Sequence, residues 1–337
     1  MKAWQIQSFG IEQLVLEHLP QPHPGRGEVL VKVHAASLNY RDLLMVRGHF
    51  NPKMQLPRIP CSDGAGEVVE VGEEVKAVTV GQRVAGIFMQ NWLDGPPTAE
   101  RSRGALGGDL DGMLAEYVVL PQSGVVAIPE HLSFAEAATL PCAGVTAWNA
   151  LVNAGQIKPG DVVVTQGTGG VSVFALQFAK MMGATVIGIS SSDEKLERAK
   201  TLGLNAGLNY RQTPDWAKWV LRETSNRGGD LIVEVGGAGT FSQSVQAVRI
   251  GGTVAQIGLL SQSDQPVPIA PLLHRQVRVQ AVYVGSRAHF ETMNRAIAAS
   301  HLRPVVDKVF AFPQAREALT TMEKGSHFGK IVIQVVA

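Results

Sequence analysis

At 337 residues, 45% hydrophobic and 18% charged, the chain is globular in composition and long enough for two hydrophobic cores. A net charge of +1 without any long basic run gives nucleic-acid binding no electrostatic support, and two cysteines, Cys61 and Cys142, exclude a disulfide framework and a four-cysteine zinc site. No apolar leader opens MKAWQIQSFG and no segment approaches the roughly 20 apolar residues of a membrane span, so the expectation is a protein of the reducing cytoplasm with neither membrane nor nucleic acid as partner.

Residues 1–125 read as strand-rich. "EVLVKVHAASLN" alternates across a sheet, and "GAGEVVEVGEEVKAVTVGQRVAG" reads as a twisted meander with glycines at turns and bulges. Residues 90–111 form a long polar stretch rich in glycine and proline, of the kind that is functional or flexible, and Trp92 within it is a candidate entrance residue or a packed one. Near residue 130 the texture changes. Ser133, with Glu136 three residues on, marks a capping box, and helical spacing follows. Apolar strands are expected at 161–166, 185–189, 205–209, 230–234, 252–257 and 278–284, with helices at 170–182, 192–202, 214–225 and 240–249. Such alternation predicts a parallel sheet covered on both faces. The tail adds a helix and two strands able to return to the first sheet.

Between the first of these strands and its helix lies Gly167-Thr168-Gly169-Gly170. The first glycine permits a tight turn, the second lets backbone N–H groups approach a pyrophosphate, and the helix N-terminus adds partial positive charge. The third glycine of the pattern G-x-G-x-x-G is replaced by Ser172. That position serves helix–strand packing, so the serine weakens the pattern without removing the phosphate site.

These segments together resemble the medium-chain dehydrogenase/reductase family, within it the zinc-independent, quinone-oxidoreductase-like branch and its relatives of zinc-type alcohol dehydrogenase kind. The resemblance runs from "LVKVHAASLNYRDLLMVRG" through "PCSDGAGEVVEVGEEV", "GGDLDGMLAEYVVLP" and "AATLPCAGVTAWNAL" to the glycine turn and "HFGKIVI". It implies an α/β protein: a GroES-like β-rich catalytic domain, residues 1–125 and 286–337, interrupted by a Rossmann doubly wound parallel-sheet domain, residues 126–285. It also implies a homodimer through the edge strand at "RVQAVYVG".

Zinc-dependent members carry ligands at three places that this chain matches with Asn39, Ser62 and Cys142. Only the last is a good Zn²⁺ donor, and a catalytic zinc needs three such ligands. Asp42 and Asp63 fall where those enzymes keep carboxylates beside the metal; with Cys142 they form an unusual metal site or serve as structural hydrogen-bond acceptors. The expectation is no metal. Without it, a quinone or α,β-unsaturated carbonyl, already polarised by conjugation, suits the chemistry better than a simple alcohol. Candidate catalytic residues are Asn39, Tyr40 and Asp42, while Arg41 is a candidate carboxylate anchor or a solvated cation.

Candidate cofactor residues are Thr146, Gly167, Gly169, Gly170, Val171, Ser190, Ser191, Lys195, Tyr210 and Gly258; Tyr210 matches a tyrosine that quinone oxidoreductase relatives place beside a 2′-phosphate. No carboxylate ends the second strand, where NAD enzymes bind the ribose 2′-OH, so NADP is expected, with NADPH preferred over NADH. The expectation is an NAD(P)H-dependent oxidoreductase reducing a small-molecule quinone or enone. The alternatives are an alcohol dehydrogenase with an unusual metal site and a non-catalytic nucleotide-binding scaffold.

Overall fold

The computed structural model describes residues 1–261, 263, 267 and 269–336, and internal contacts divide it into Met1–Val145 with Gly285–Ala337, and Thr146–Val284. Labels follow chain order. The first unit holds β1 (Lys2–Ile6), β2 (Leu14–His18), β3 (Glu28–Ser37), β4 (Asp63–Val71), β5 (Arg83–Gly86), β6 (Tyr117–Pro121) and β7 (Val125–Ala127), then β14 (Val306–Ala311) and β15 (Lys330–Gln334). β1 pairs with β2; the others form a seven-stranded sheet ordered β14-β15-β3-β4-β5-β7, with β6 on β3. The C-terminal strands do return to the first sheet: Ile333 of β15 lies antiparallel to Ala36 of β3. Alternation in β3 sends Val29, Val31 and Val33 into one buried cluster with Leu106, Met113 and Ile331.

The helices here are α1 (Tyr40–Val46), α2 (Phe134–Ala137), a π-type turn Leu140–Gly144, α9 (Arg287–Ser300) and α10 (Ala315–Glu323). The Ser133 box is present, with Glu136 N donating to the Ser133 hydroxyl and Ser133 N to the Glu136 carboxylate. Residues 126–145 fall within this unit, although their texture groups them with the next. β7 pairs with β5, and Cys142 N donates to Asp63 of β4. The 90–111 stretch is tied down: Trp92 is buried, and its carbonyl and that of Leu93 accept the N–H groups of Arg287 and Ala288 in the first turn of α9. Trp92 therefore packs rather than lining an entrance.

The segment α3 (Val145–Trp148), followed by π-type turns Asn149–Ala154, leads into the second unit. There β8 (Val162–Gln166), β9 (Thr185–Ser190), β10 (Ala206–Asn209), β11 (Gly229–Glu234), β12 (Val248–Gln256) and β13 (Arg278–Ala281) form a sheet ordered β10-β9-β8-β11-β12-β13, every pair parallel. Helices α4 (Gly170–Met181), α5 (Asp193–Thr201), α6 (Trp216–Glu223) and α7 (Ala238–Ala247) alternate with the strands, and α8 (Ile269–His274) precedes β13.

Most boundaries shift by one or two residues, and the largest shift is at β12, which begins at Val248 instead of 252. The helix expected to 249 ends at Ala247, because Val248 already pairs across to Gly229, and the last strand stops at Ala281 instead of 284. α8, short and without a buried residue, had no periodic signal. The order reverses between β8 and β11, and a doubly wound sheet binds ligands at such a switch point, at the carboxyl ends of its strands.

Candidate active-site cluster and nucleotide turn

In the first unit, β3 ends at Ser37 and the chain turns into α1 through Asn39. Asp42, 1% exposed, accepts from Asn39 N at 2.8 Å and from Ser62 N at 3.2 Å, so it holds the helix start against the segment entering β4. The Asn39 amide nitrogen donates to the Ser62 hydroxyl at 3.3 Å, which donates to Asp63 at 2.8 Å. The second Asp63 oxygen accepts from Cys142 N at 3.0 Å. Lys330, 3% exposed at the start of β15, closes the cluster: its ammonium donates to Leu38 O at 2.6 Å and to Asn39 Oδ1.

Burial pushes the Asp42 carboxyl up to about 6, against the pull of Arg41. It also raises Asp63, against Lys330 and the Asn39 and Ser62 hydrogen bonds. Both thiols, Cys61 and Cys142, are pushed up chiefly by burial and remain protonated.

Of the expected catalytic residues, Asn39 and Asp42 are internal to this network, whereas Tyr40 is 46% exposed. Arg41 is neither a solvated cation nor an open anchor. It lies against Phe88 and Phe50, 4.8 and 5.6 Å from the ring centroids, and donates to Leu106 O. A zinc ion does not fit this donor set. Asn39 and Ser62 are poor zinc ligands and are committed to each other and to Lys330 and Asp63, which leaves Cys142 as the one good donor of the three. Among the described residues no three His, Cys, Asp or Glu side chains gather as metal ligands.

In the second unit the strand–turn–helix is present. Gly167 has φ +69°, a conformation glycine accepts freely. Gly169, the residue before α4, offers no side-chain cap, and a Cβ built on it meets nothing within 4 Å. The first N–H groups of α4, at Gly170 and Val171, therefore open onto space from which side chains are withheld, and this fits a pyrophosphate. Ser172 is more than a tolerated filler: its hydroxyl donates to Gln166 O at 2.6 Å, tying α4 to the end of β8.

At the end of β9, Ser190 is buried and Ser192 caps α5 by accepting from Lys195 N. Tyr210 N donates to Ser190 O, bringing that tyrosine beside the strand end. Asp193, the nearby carboxylate, is held by Asn209 and Gln212 at 3.0 and 2.8 Å. Ser191 lies between β9 and the cap, and Thr146 is buried within α3. Gly258 N donates to Glu234 O, and a Cβ on Gly258 would lie 1.8 Å from Val235 O. That glycine lets the loops after β11 and β12 cross.

Three residues escaped the sequence reading. Lys330 opens an otherwise apolar strand, and Gln166 and Glu234 end β8 and β11. For Gln166 and Glu234 the available signal was a polar residue closing a largely apolar parallel strand, since sites gather at those ends.

Residues 25–130 match the alcohol dehydrogenase GroES-like domain and 170–299 the zinc-binding dehydrogenase domain. The chain is 45% identical over 334 residues to a zinc-type alcohol dehydrogenase-like protein of Schizosaccharomyces pombe, covering 97% of this chain and 96% of that one. A 2-methylene-furan-3-one reductase of Solanum lycopersicum is 30% identical over 342 residues, covering 100% of this chain and 79% of that one. A crystal structure of an NAD-dependent alcohol dehydrogenase superposes with a TM-score of 0.92 at 35% identity, covering 100% of both chains.

Proposed function

Because this chain belongs to the medium-chain dehydrogenase/reductase family and is one of its oxidoreductases, we propose that it reduces a quinone or α,β-unsaturated carbonyl with NADPH and without zinc. The observation that carries the acceptor class is the Lys330 ammonium inside the Asn39–Ser62–Asp63 network, where zinc relatives hold ligands. When bound, a reduced nicotinamide supplies hydride to an electrophilic carbon.

The chain's own part begins at the open start of α4, where Gly170 and Val171 hold the pyrophosphate. Asp42 and Lys330 fix Asn39, and Asn39 fixes the start of α1, whose first residue, Tyr40, is exposed. The Tyr40 hydroxyl, or water, donates to the acceptor oxygen. A conjugated acceptor needs no stronger electrophile, whereas a simple alcohol needs its proton removed.

For the cofactor, the serine run at the end of β9 and the engaged Asp193 support a 2′-phosphate over a 2′-OH, with Lys195 and Tyr210 as its partners. Titration of wild type and Lys195→Ala tests this: NADPH affinity falls about tenfold, the weight of one charge-assisted contact, while NADH affinity holds. Equal losses sink it.

A homodimer through β13 belongs to the same reading. All four residues of this edge strand are exposed, Val279 among them. Val279→Lys then yields monomers on a sizing column.

The deciding experiment assays chelator-treated protein against quinones, enones and simple alcohols. Undiminished quinone or enone reduction is expected. Stoichiometric zinc lost together with activity overturns the metal-free reading, and nucleotide binding with no turnover anywhere on the panel makes the protein a scaffold.

A further inference from the structure

Glu234, the last residue of β11, has no part in the reading above, yet it is 0% exposed at the switch point. One of its oxygens accepts from Gly236 N at 2.8 Å, Gly237 N at 2.9 Å and the Thr240 hydroxyl at 2.6 Å. The other accepts from the Gln166 amide at 2.7 Å and from the Ser244 hydroxyl. All five partners are neutral donors, the surroundings that an acceptor-only carboxylate requires. Among the described residues no cation pairs with it.

The site is rigid. Gln166 Oε1 accepts from Val235 N and Gly236 N, so one side chain bridges the ends of β8 and β11. Gly236 O accepts from Ser261 N and from the Ser261 hydroxyl, which stitches the loop after β11 to the loop after β12.

We propose that Glu234 is a positioning residue whose fixed negative charge, beneath the nicotinamide half of the cofactor site, favours the oxidised form of the bound cofactor. The inference rests on the nucleotide reading above. In a doubly wound sheet the pyrophosphate lies at the turn after β8, and the second half of the dinucleotide lies across the switch, over β11 and its neighbours. The oxidised nicotinamide ring is a cation and the reduced ring is neutral, so a nearby carboxylate stabilises the first and leaves the second unchanged.

Dipoles hold this charge in place but do not cancel it as an opposite charge does, and its field reaches beyond its own cluster. Burying a lone carboxylate is costly, and a purely mechanical clamp needs no charge. In the forward reaction the reduced ring gives up two electrons and a proton's nucleus as hydride to the acceptor carbon and becomes cationic, while the acceptor oxygen takes its proton from Tyr40 or water. Glu234 makes that transfer more downhill on the protein.

The test titrates NADP⁺ and NADPH into wild type, Glu234→Gln and Ser244→Ala, with binding as the readout. Wild type is expected to bind NADP⁺ at least as tightly as NADPH. Glu234→Gln weakens NADP⁺ about tenfold more than NADPH, which raises the potential of the bound couple by about 30 mV. Ser244→Ala, which keeps the charge, leaves the ratio of the two affinities unchanged. An unchanged ratio in Glu234→Gln overturns the inference and leaves the nucleotide reading intact. So does a wild type that binds NADPH tenfold or more tightly than NADP⁺, a comparison that stands even if the variant does not fold. A wild type that binds neither nucleotide overturns both.

Discussion

In the first unit Asp42 and Asp63 are buried beside two cations, Arg41 at 3.9 Å from Asp42 and Lys330, whose charge opposes the rise of both carboxyls; in the second Glu234 is buried among five neutral donors. Both arrangements satisfy buried carboxylates, with different consequences. The first matches charge with charge, and its bonds lie within a cluster that orients the start of α1. The second leaves a charge uncancelled at the end of a strand at the sheet's switch point. A charge-matched cluster serves as a joint, and a donor-matched carboxylate serves as a source of field. Each variant below attacks one side of that contrast.

The largest effect is expected at the turn. In Gly169→Val the backbone, at φ −77° and ψ −179°, accepts any residue, and nothing lies within 4 Å of the new Cβ. The fold persists, while the side chain fills the pyrophosphate space and nucleotide affinity drops by roughly a hundredfold or more. Undiminished NADPH binding places the phosphate elsewhere.

Lys330→Met does the reverse, damaging the joint rather than the nucleotide turn. Removing one partner of a buried charge cluster leaves carboxylates uncompensated, and stability falls by about 3–5 kcal/mol in urea unfolding. A loss below about 1 kcal/mol means that Lys330 does not balance Asp42 and Asp63.

The third prediction concerns pH. Asp42 titrates from 3.8 in the open chain to about 6 when folded. Between those values the folded protein keeps a proton that the unfolded chain has released. Its contribution to stability is therefore complete below about pH 4 and is lost as pH rises through about 6, opposite to a salt-bridged carboxylate. Two pH units correspond to roughly 3 kcal/mol. Asp42→Asn should flatten this slope in unfolding measurements between pH 4.5 and 7; an equal slope in wild type and variant assigns the titration to another group.

The smallest effect is at Ser172. Ser172→Gly removes the bond to Gln166 O and lowers stability by about 1 kcal/mol, with nucleotide affinity held within a few-fold. A large loss of affinity makes the serine part of the phosphate site itself.

Much of the architecture was legible because periodicity reports burial directly. The runs VVVTQ, TVIGIS and GDLIVE carry their apolar residues without alternation, as a parallel sheet covered on both faces demands, and all three lie in one sheet. The glycine turn was legible because its geometry depends on backbone freedom, which a single residue type reveals. Arg41 was misjudged because a cation's environment is made by residues distant in the chain, here Phe88 and Leu106. Trp92 posed the same problem: its partners in α9 lie almost 200 residues further on.

By itself, then, the order of residues determined the sheet type and the glycine turn between β8 and α4, because each depends on local pattern or on backbone freedom. Tertiary structure alone decided that Lys330 reaches Asn39 across 291 positions and that Gln166 meets Glu234 across 68. Hydrogen bonds between buried polar groups have no periodicity along the chain. They come into being only when the strands that carry them are laid side by side.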